Sequence, residues 1–366
     1  MTQNKLYFFL FSLLLLIWPS LGAGQTSTLS EIRPFYRGVR SLGMGGAHVS
    51  VVNDESALYL NPASLLKLRN SIGTLFDPEI SLSDKAYNPI YSTHTFSSFT
   101  DPSALGESLF ASPNEIYHAK YQISPTFVFE HFGIGLIANQ SLDARFNSAT
   151  NTVDIFHRDD QGFFIGSALR FFSGKIKIGG AAKLISRIEM NKNLPYPGDI
   201  SLGTHASSGL ALGYDGAVIF TAPWAYLPSF SIVGRDLGAT LFDKTFYSRS
   251  SSSTHPQSVD GDVDVGLSFF PVHSNKKRSS VAIEYHSLLA AQNASDKTKY
   301  MHLGYEFNYG DLLFIRAGIN QRYWTAGVEL ASEYTQIQLA SYGEEVGPES
   351  TPTESRRYVF KWTFRF

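Results

Sequence analysis

In the stretch "KYMHLGYEFNY", Met301, Leu303, Tyr305, Phe307 and Tyr309 occupy one parity, while His302, Gly304, Glu306 and Asn308 occupy the other. A strand points successive side chains to opposite faces, so such a segment has one apolar face and one polar or small face. The pattern recurs. "QGFFIGSALRFF" sets Phe163, Ile165, Leu169 and Phe171 against Gly162, Gly166, Ala168 and Arg170. "KIKIGGAAKLISRI" sets Ile176, Ile178, Leu184 and Ile188 against Lys175, Lys177, Lys183 and Arg187, and "LLFIRAGIN" repeats the theme. The chain closes on "RRYVFKWTFRF", where Tyr358, Phe360, Trp362, Phe364 and Phe366 alternate with Arg357, Val359, Lys361, Thr363 and Arg365. Several segments run ~9 to 12 residues, the length a tilted strand needs to cross the hydrocarbon layer. Strands of soluble sheets average nearer 5 or 6 residues, roughly half that. Greasy faces of this length, backed by glycine and charge, describe a lipid-facing wall.

The rest of the composition agrees. Charged residues make up 17% of the chain, below the ~25% usual in soluble domains. The formal charge of -2 offers no electrostatic case for nucleic acid. With no cysteine there are no disulfides, no thiolate chemistry and no lipid-anchored form. Lys5, the apolar run 6–18 and the small residues after Pro19 read as a secretory signal over residues 1–24, cleaved between Gly22 and Gln25. That run of about 13 is too short for a comfortable membrane helix, which needs ~20. Export without a later helical span leaves a periplasmic protein or a barrel in the bacterial outer membrane, and alternation selects the barrel.

Turn signals then give a topology. Short turns fall at 130–133, 172–175, 222–228, 273–277, 309–311 and 331–333. Between them lie mostly longer connections near 81–121, 145–160, 190–206, 239–260, 290–297 and 344–355, with a tight one at 321–322. Outer-membrane barrels pair short periplasmic turns with longer outer loops. The expectation is an all-β, antiparallel transmembrane barrel of about 14 strands over residues 70–366, with both chain ends periplasmic. "NTVDIF", 151–156, is placed in an outer loop. Trp362, Phe364 and Phe366 resemble the terminal signal by which such barrels are recognised by the barrel-assembly machinery.

Ahead of the first strand, residues 25–69 are rich in small side chains, among them Gly43, Gly45, Gly46, Ala47, Ala57 and Ala63. Asp54 is a fair helix N-cap, and Asn61-Pro62 interrupts the apolar stretch 56–66. Too small for a domain and too apolar for a tail, the segment reads as a plug in the lumen.

"GMGGAHVSVVNDESALYLNPASLL" resembles the amino-terminal hatch of the FadL-like outer-membrane proteins, including its Asn-Pro-Ala motif, here Asn61, Pro62 and Ala63. "GLALGYDGAVIF" and "HLGYEFNYGDLLFIRAGINQRYW" are similar to the PorV-like relatives within that superfamily. The resemblance covers the hatch and most of the barrel, while the loops match poorly. It implies a 14-stranded barrel that passes hydrophobic, fatty-acid-like molecules through the outer membrane and releases them sideways, where one strand bends inward. It also implies that Asn61 holds the hatch by side-chain hydrogen bonds, that Pro62 fixes the bend, and that Gly43, Gly45 and Gly46 permit close packing against the wall. Partners are then outer-membrane lipid and a hydrophobic small-molecule ligand. The alternative is a PorV-like barrel that binds or shuttles a secreted protein. The polar 81–121 connection, anchored by Phe96, Phe99, Leu105, Leu109 and Phe110, could serve as a lid or as a protein-binding surface.

No catalytic residue, cofactor or metal site is nominated, and no enzyme is expected. There is no G-x-S-x-G elbow and no H-E-x-x-H. In "GMGGAH", His48 stands where a dinucleotide fingerprint needs glycine. Asp260, Asp262 and Asp264 share a strand face that could meet a hard cation, though such a row more often lines a wet rim. "HRDD", 157–160, reads as an exposed loop, and Glu306 with Arg316 as a lumenal pair on adjacent strands. Asn293 opens a formal glycosylation acceptor of little meaning here. His205, His255 and His302 are too scattered to form a site.

Overall fold

The alternating segments form strands, and the strands pair in chain order. The computed structural model describes residues 27–84, 86, 102–244, 254–348 and 350–366. The segment expected to be a signal, residues 1–24, and the anchors Phe96 and Phe99 lie outside the described residues.

The strands are β1 (Ile72–Phe76, continued by Glu79–Ser83), β2 (Tyr117–Ile123, continued by Thr126–Phe129), β3 (Phe132–Asn147), β4 (Thr152–Phe171) and β5 (Ile176–Pro195). After them come β6 (Ser207–Thr221), β7 (Ser229–Arg235), β8 (Asp262–Phe269, continued by Val272–Ser274) and β9 (Lys277–Tyr285). The last five are β10 (Met301–Tyr309), β11 (Leu313–Asn320), β12 (Tyr323–Ala331), β13 (Thr335–Glu345) and β14 (Glu354–Arg365). Three of them are split by an interruption, and the two halves of each pair with shared neighbours, so 17 hydrogen-bonded segments make a barrel of 14 strands. Each interruption carries a proline, Pro78, Pro125 or Pro271, which cannot donate to the ladder. β14 pairs antiparallel with β1, Tyr358 opposite Leu82 and Phe360 opposite Ile80, and closes the cylinder. Closure removes the exposed sheet edges.

Parity decides which side each residue faces. In β14 Tyr358 is 54% exposed and its neighbour Arg357 is 1% exposed. The aromatic parity therefore forms the outer wall, and the charged parity faces inward.

Of residues 151–156 only Asn151 lies in a loop; residues 152–156 do not. They begin β4, which pairs residue for residue with β5, each being 20 residues long. At ~3.3 Å per residue such a hairpin reaches about 66 Å, against roughly 30 Å of hydrocarbon, so it projects well past the bilayer. The outer connections shrink to 148–151 and 196–206. "HRDD" lies within the same strand. Beyond the membrane neither face meets lipid, so the parity rule that marks the other strands lapses there. Val153 and Ile155 instead pack in an apolar cluster with Leu105, Leu109, Leu142, Phe146 and Met190. That cluster seats the short helix Gly106–Ala111 of the long connection after β1.

The N-terminal segment runs lengthwise through the lumen. Ser27 donates to Asn191, and Thr28 to Asp154, at the end carrying the long loops. At the other end Gly73 and Phe366 exchange backbone hydrogen bonds of 3.0 Å. Phe366 thus lies at the short-turn end, and Ser27 and Thr28 at the end carrying the long loops. Between these ends lie α1 (Val39–Gly43), α2 (Ala57–Leu60) and a 3-10 turn (Pro62–Lys67).

Candidate functional site

The inward charges of the wall meet charges of the N-terminal segment. Arg357 of β14 forks onto Glu31 at 2.9 and 2.8 Å and reaches Asp143 of β3 at 3.1 Å. Arg37 pairs with Glu344 of β13. Arg40 donates to both oxygens of Glu306 in β10, at 2.9 and 2.8 Å, and to Asp54 at 2.6 Å. Arg316 of β11 donates to the same Glu306 at 2.7 Å and pairs with Glu329 of β12. Glu306 and Arg316 therefore do pair across the lumen wall, with Arg40 as a third member. Charges buried this deeply are tolerated only when paired, so the wall holds the segment in one register.

Of the residues singled out in sequence, the glycines sit at the closest approach. Gly45 and Gly46 have φ of +68° and +82°, the left-handed region. A Cβ on Gly45 would lie 2.2 Å from the carbonyl of Leu303, and one on Gly43 would lie 3.2 Å from the Cα of Gly327. Thr325 ties this contact, accepting from the Gly45 amide at 2.9 Å and donating to the Gly43 carbonyl at 3.0 Å. Asn61 is fully buried. Its Nδ2 donates to the Val49 carbonyl at 2.6 Å, and its Oδ1 accepts from the Ala63 amide at 3.1 Å, capping the 3-10 turn that Pro62 begins. Ala63 rests on β5 at Gly179, where a Cβ would come within 2.3 Å of the Ala63 nitrogen. Trp362, Phe364 and Phe366 lie apart from these, on the outer wall toward the short-turn end, with Phe366 against Phe127.

Two further carboxylates that bind the segment or bridge the wall are not marked by the sequence pattern. Glu284 of β9 accepts from three consecutive amides of the segment, His48, Val49 and Ser50, at 2.8 to 2.9 Å, and from the Ser50 hydroxyl at 2.8 Å. Asp77 sits at the interruption of β1. It accepts from the Ser124 amide at 2.6 Å, across the interruption of β2, and pairs with Lys361 of β14 at 2.9 Å. The Asp77-Pro78 dipeptide inside an alternating run could have flagged the second of these.

Other candidates resolve differently. Asp262 accepts from the amides of Leu289 and Ala290, capping the helix Leu288–Asn293, and Asp264 pairs with Arg235. Both are occupied by the protein's own donors, so the row with Asp260 is not an open cation site. Asp160 of "HRDD" binds Arg187 at 2.6 and 2.8 Å. His205 and His255 lie in the loops, while His302 faces the Gly45 carbonyl at 2.8 Å.

Spaces of about 20 Å³, beside Tyr36, Arg40, Glu55 and Lys361, and about 50 Å³, beside Glu31, Arg33, His118 and Arg357, remain between segment and wall. They are lined by charged side chains among apolar ones and are sized for a few waters. Next to the paired interruptions of β1 and β2 lies an aromatic cluster. Tyr36 stacks on Tyr59 at 4.7 Å, and Phe164 meets Tyr59 edge-on at 4.9 Å. The Tyr59 hydroxyl bonds Thr126, the residue after Pro125, at 2.6 Å. At the loop end Phe110, 56% exposed, packs on Phe146 and Tyr196 at 5.2 and 5.9 Å.

Comparison with solved structures shows where this architecture recurs. The chain superposes on the CymD monoaromatic hydrocarbon channel with a TM-score of 0.54 at 12% identity, covering 90% of this chain and 97% of that one. The toluene transporter TodX of Pseudomonas putida gives 0.53 at 13% identity, over 93% and 99%. The toluene transporter TbuX of Ralstonia pickettii gives 0.54 at 11% identity, over 90% and 98%. No protein-family model matches the sequence, and no curated protein does either.

Proposed function

We propose that this chain, which has the closed barrel fold of the FadL-like outer-membrane proteins, passes small hydrophobic molecules through the outer membrane, with its N-terminal segment as the hatch. The observation that carries the reading is the weak place in the wall beside the aromatic cluster. At Asp77-Pro78 and Ser124-Pro125 two neighbouring strands lose their ladder to each other, and side-chain bonds that Asp77 accepts from Ser124 and Lys361 close the gap. Side-chain bonds can part without disturbing the register of the flanking strands. An apolar molecule would collect on the exposed ring of Phe110, enter as the hatch shifts, rest against Tyr36, Tyr59 and Phe164, and leave sideways into lipid. In this orientation the short turns are periplasmic, and Trp362, Phe364 and Phe366 present the assembly signal.

The test uses the absence of native cysteine. In Asp77→Cys/Ser124→Cys, oxidation staples the gap and a reductant reopens it. Uptake of toluene and of a long-chain fatty acid by cells carrying this variant should fall on oxidation and recover on reduction. Uptake equal in both states refutes a lateral exit here, and uptake no greater than in cells lacking the protein refutes transport. The tightly packed, polar lumen favours a second reading, a PorV-like anchor for a secreted protein. Native mass spectrometry on gently extracted protein separates them: a stoichiometric protein partner with no apolar adduct supports the anchor.

A further inference from the structure

We propose that His48, Glu284 and His286 form a binding site for a transition-metal ion of the zinc class, which ties the N-terminal segment to the barrel wall. One ligand atom from each residue lies within 4.8 Å of the other two. Two imidazoles and one carboxylate are a donor set suited to zinc, and three protein ligands leave a fourth position open. His48 comes from the segment, Glu284 from the end of β9, and His286 follows two residues later on the same inward parity. The site therefore bridges the part that must move and the part that cannot.

The ring geometry suits ligation. His48 Nδ1 lies 2.5 Å from the Gly46 carbonyl and so carries the proton, which leaves a lone pair on Nε2. Metal-bound histidines are usually oriented in this way, the second nitrogen donating to a backbone carbonyl. His286 Nε2 is 2.9 Å from Glu284 Oε2. An ion at ~2.0 to 2.1 Å from each would take the place of the shared proton after a small widening, and that proton passes to solvent. The His302 ring stacks on His286 at 4.0 Å and fixes its plane.

Two groups must give way. Arg235 now donates to His48 Nε2 at 3.1 Å, but it keeps Asp264 and the Leu60 carbonyl as partners when it withdraws. Glu284 keeps its bonds to the Ser50 amide and hydroxyl through the other oxygen. The ion would then add its own bonds to the clamp that Glu284 already makes, and so hold the hatch shut. This consequence rests on the proposed transport function, whereas the binding does not.

The test is direct titration of purified, chelator-stripped full-length protein with Zn²⁺ by calorimetry, and with Co²⁺ by visible absorption. One ion per chain is expected. His48→Ala and His286→Gln should each bind at least ~10-fold more weakly, and His273→Ala, in a distant turn, should bind as the native protein does. Glutamine at 286 can still donate to Glu284, and heat-modifiable migration on gels confirms that each variant is folded. No saturable binding, or folded variants that bind as tightly as the native chain, would overturn the site. Zn²⁺ should also slow uptake by the native protein and spare His286→Gln. Should uptake fail altogether, the titration still decides the site.

Discussion

Replacing Glu306 by glutamine removes a carboxylate shared by Arg40 of the N-terminal segment and Arg316 of the wall. Arg40 loses the charge behind two hydrogen bonds and Arg316 the charge behind one. A hydrogen bond to a charged group contributes about 1.5 to 3 kcal/mol. Each arginine keeps one other carboxylate, Asp54 or Glu329, so the loss falls at the low end of the ~3 to 5 kcal/mol for breaking a buried pair. If the segment withdraws, as the proposed transport requires, both arginines meet water, so the loss falls on the closed state alone. About 3 kcal/mol is roughly a 100-fold rise in the open population. Trypsin reads it, because Arg33, Arg37 and Lys67 of the segment are shielded in the closed state, and cleavage of an opened form tracks its population when reclosing is fast. Cleavage of the reconstituted variant should accelerate about 100-fold, while the temperature at which the barrel loses its compact gel migration stays nearly constant. Glu329→Gln, which weakens only contacts within the wall, should leave cleavage slow. Equal cleavage in native protein and Glu306→Gln would show that the ion pairs do not hold the segment, and the reading of the lumen would fail.

Further tests follow from single contacts. Gly45→Ala places a Cβ against the Leu303 carbonyl at a left-handed φ, so it should unseat the segment and raise trypsin cleavage more than Gly38→Ala does. Asn61→Ala loses a cap and a buried donor, at a cost of about 1 to 2 kcal/mol. Asn61→Asp keeps the cap alone and should show a smaller rise in cleavage than Asn61→Ala. Gly179→Ala drives a methyl into the Pro62-Ala63 backbone, so it should loosen the N-terminal segment, read by faster trypsin cleavage, without affecting assembly. Phe360→Arg on the lipid face should cost roughly 2 to 4 kcal/mol if it lies near the midplane, measured as a lower midpoint in denaturant unfolding from vesicles.

The barrel was legible because its cause is local. Lipid on one side and a polar lumen on the other impose a period of two on every crossing strand, and short turns separate the crossings, so the alternation around Tyr305 or Phe360 and the spacing of turns are enough to count to fourteen. The small residues around Gly45 and the Asn61-Pro62 break likewise announce a segment that packs tightly, since close approach needs glycine wherever it occurs. Where the bilayer ends the rule ends too, and 151–156 passed for a loop because both its faces are covered by protein. What remained hidden is long-range. Nothing near His48 in sequence points to Glu284, 236 positions later, nor does Arg40 point to Glu306. Alternation tells that a residue faces the lumen but not at what height, and the height is set by the closed register of all the strands. Only the tertiary structure could decide which buried charge answers which, because a charge taken out of water is satisfied by whichever partner the barrel brings within reach.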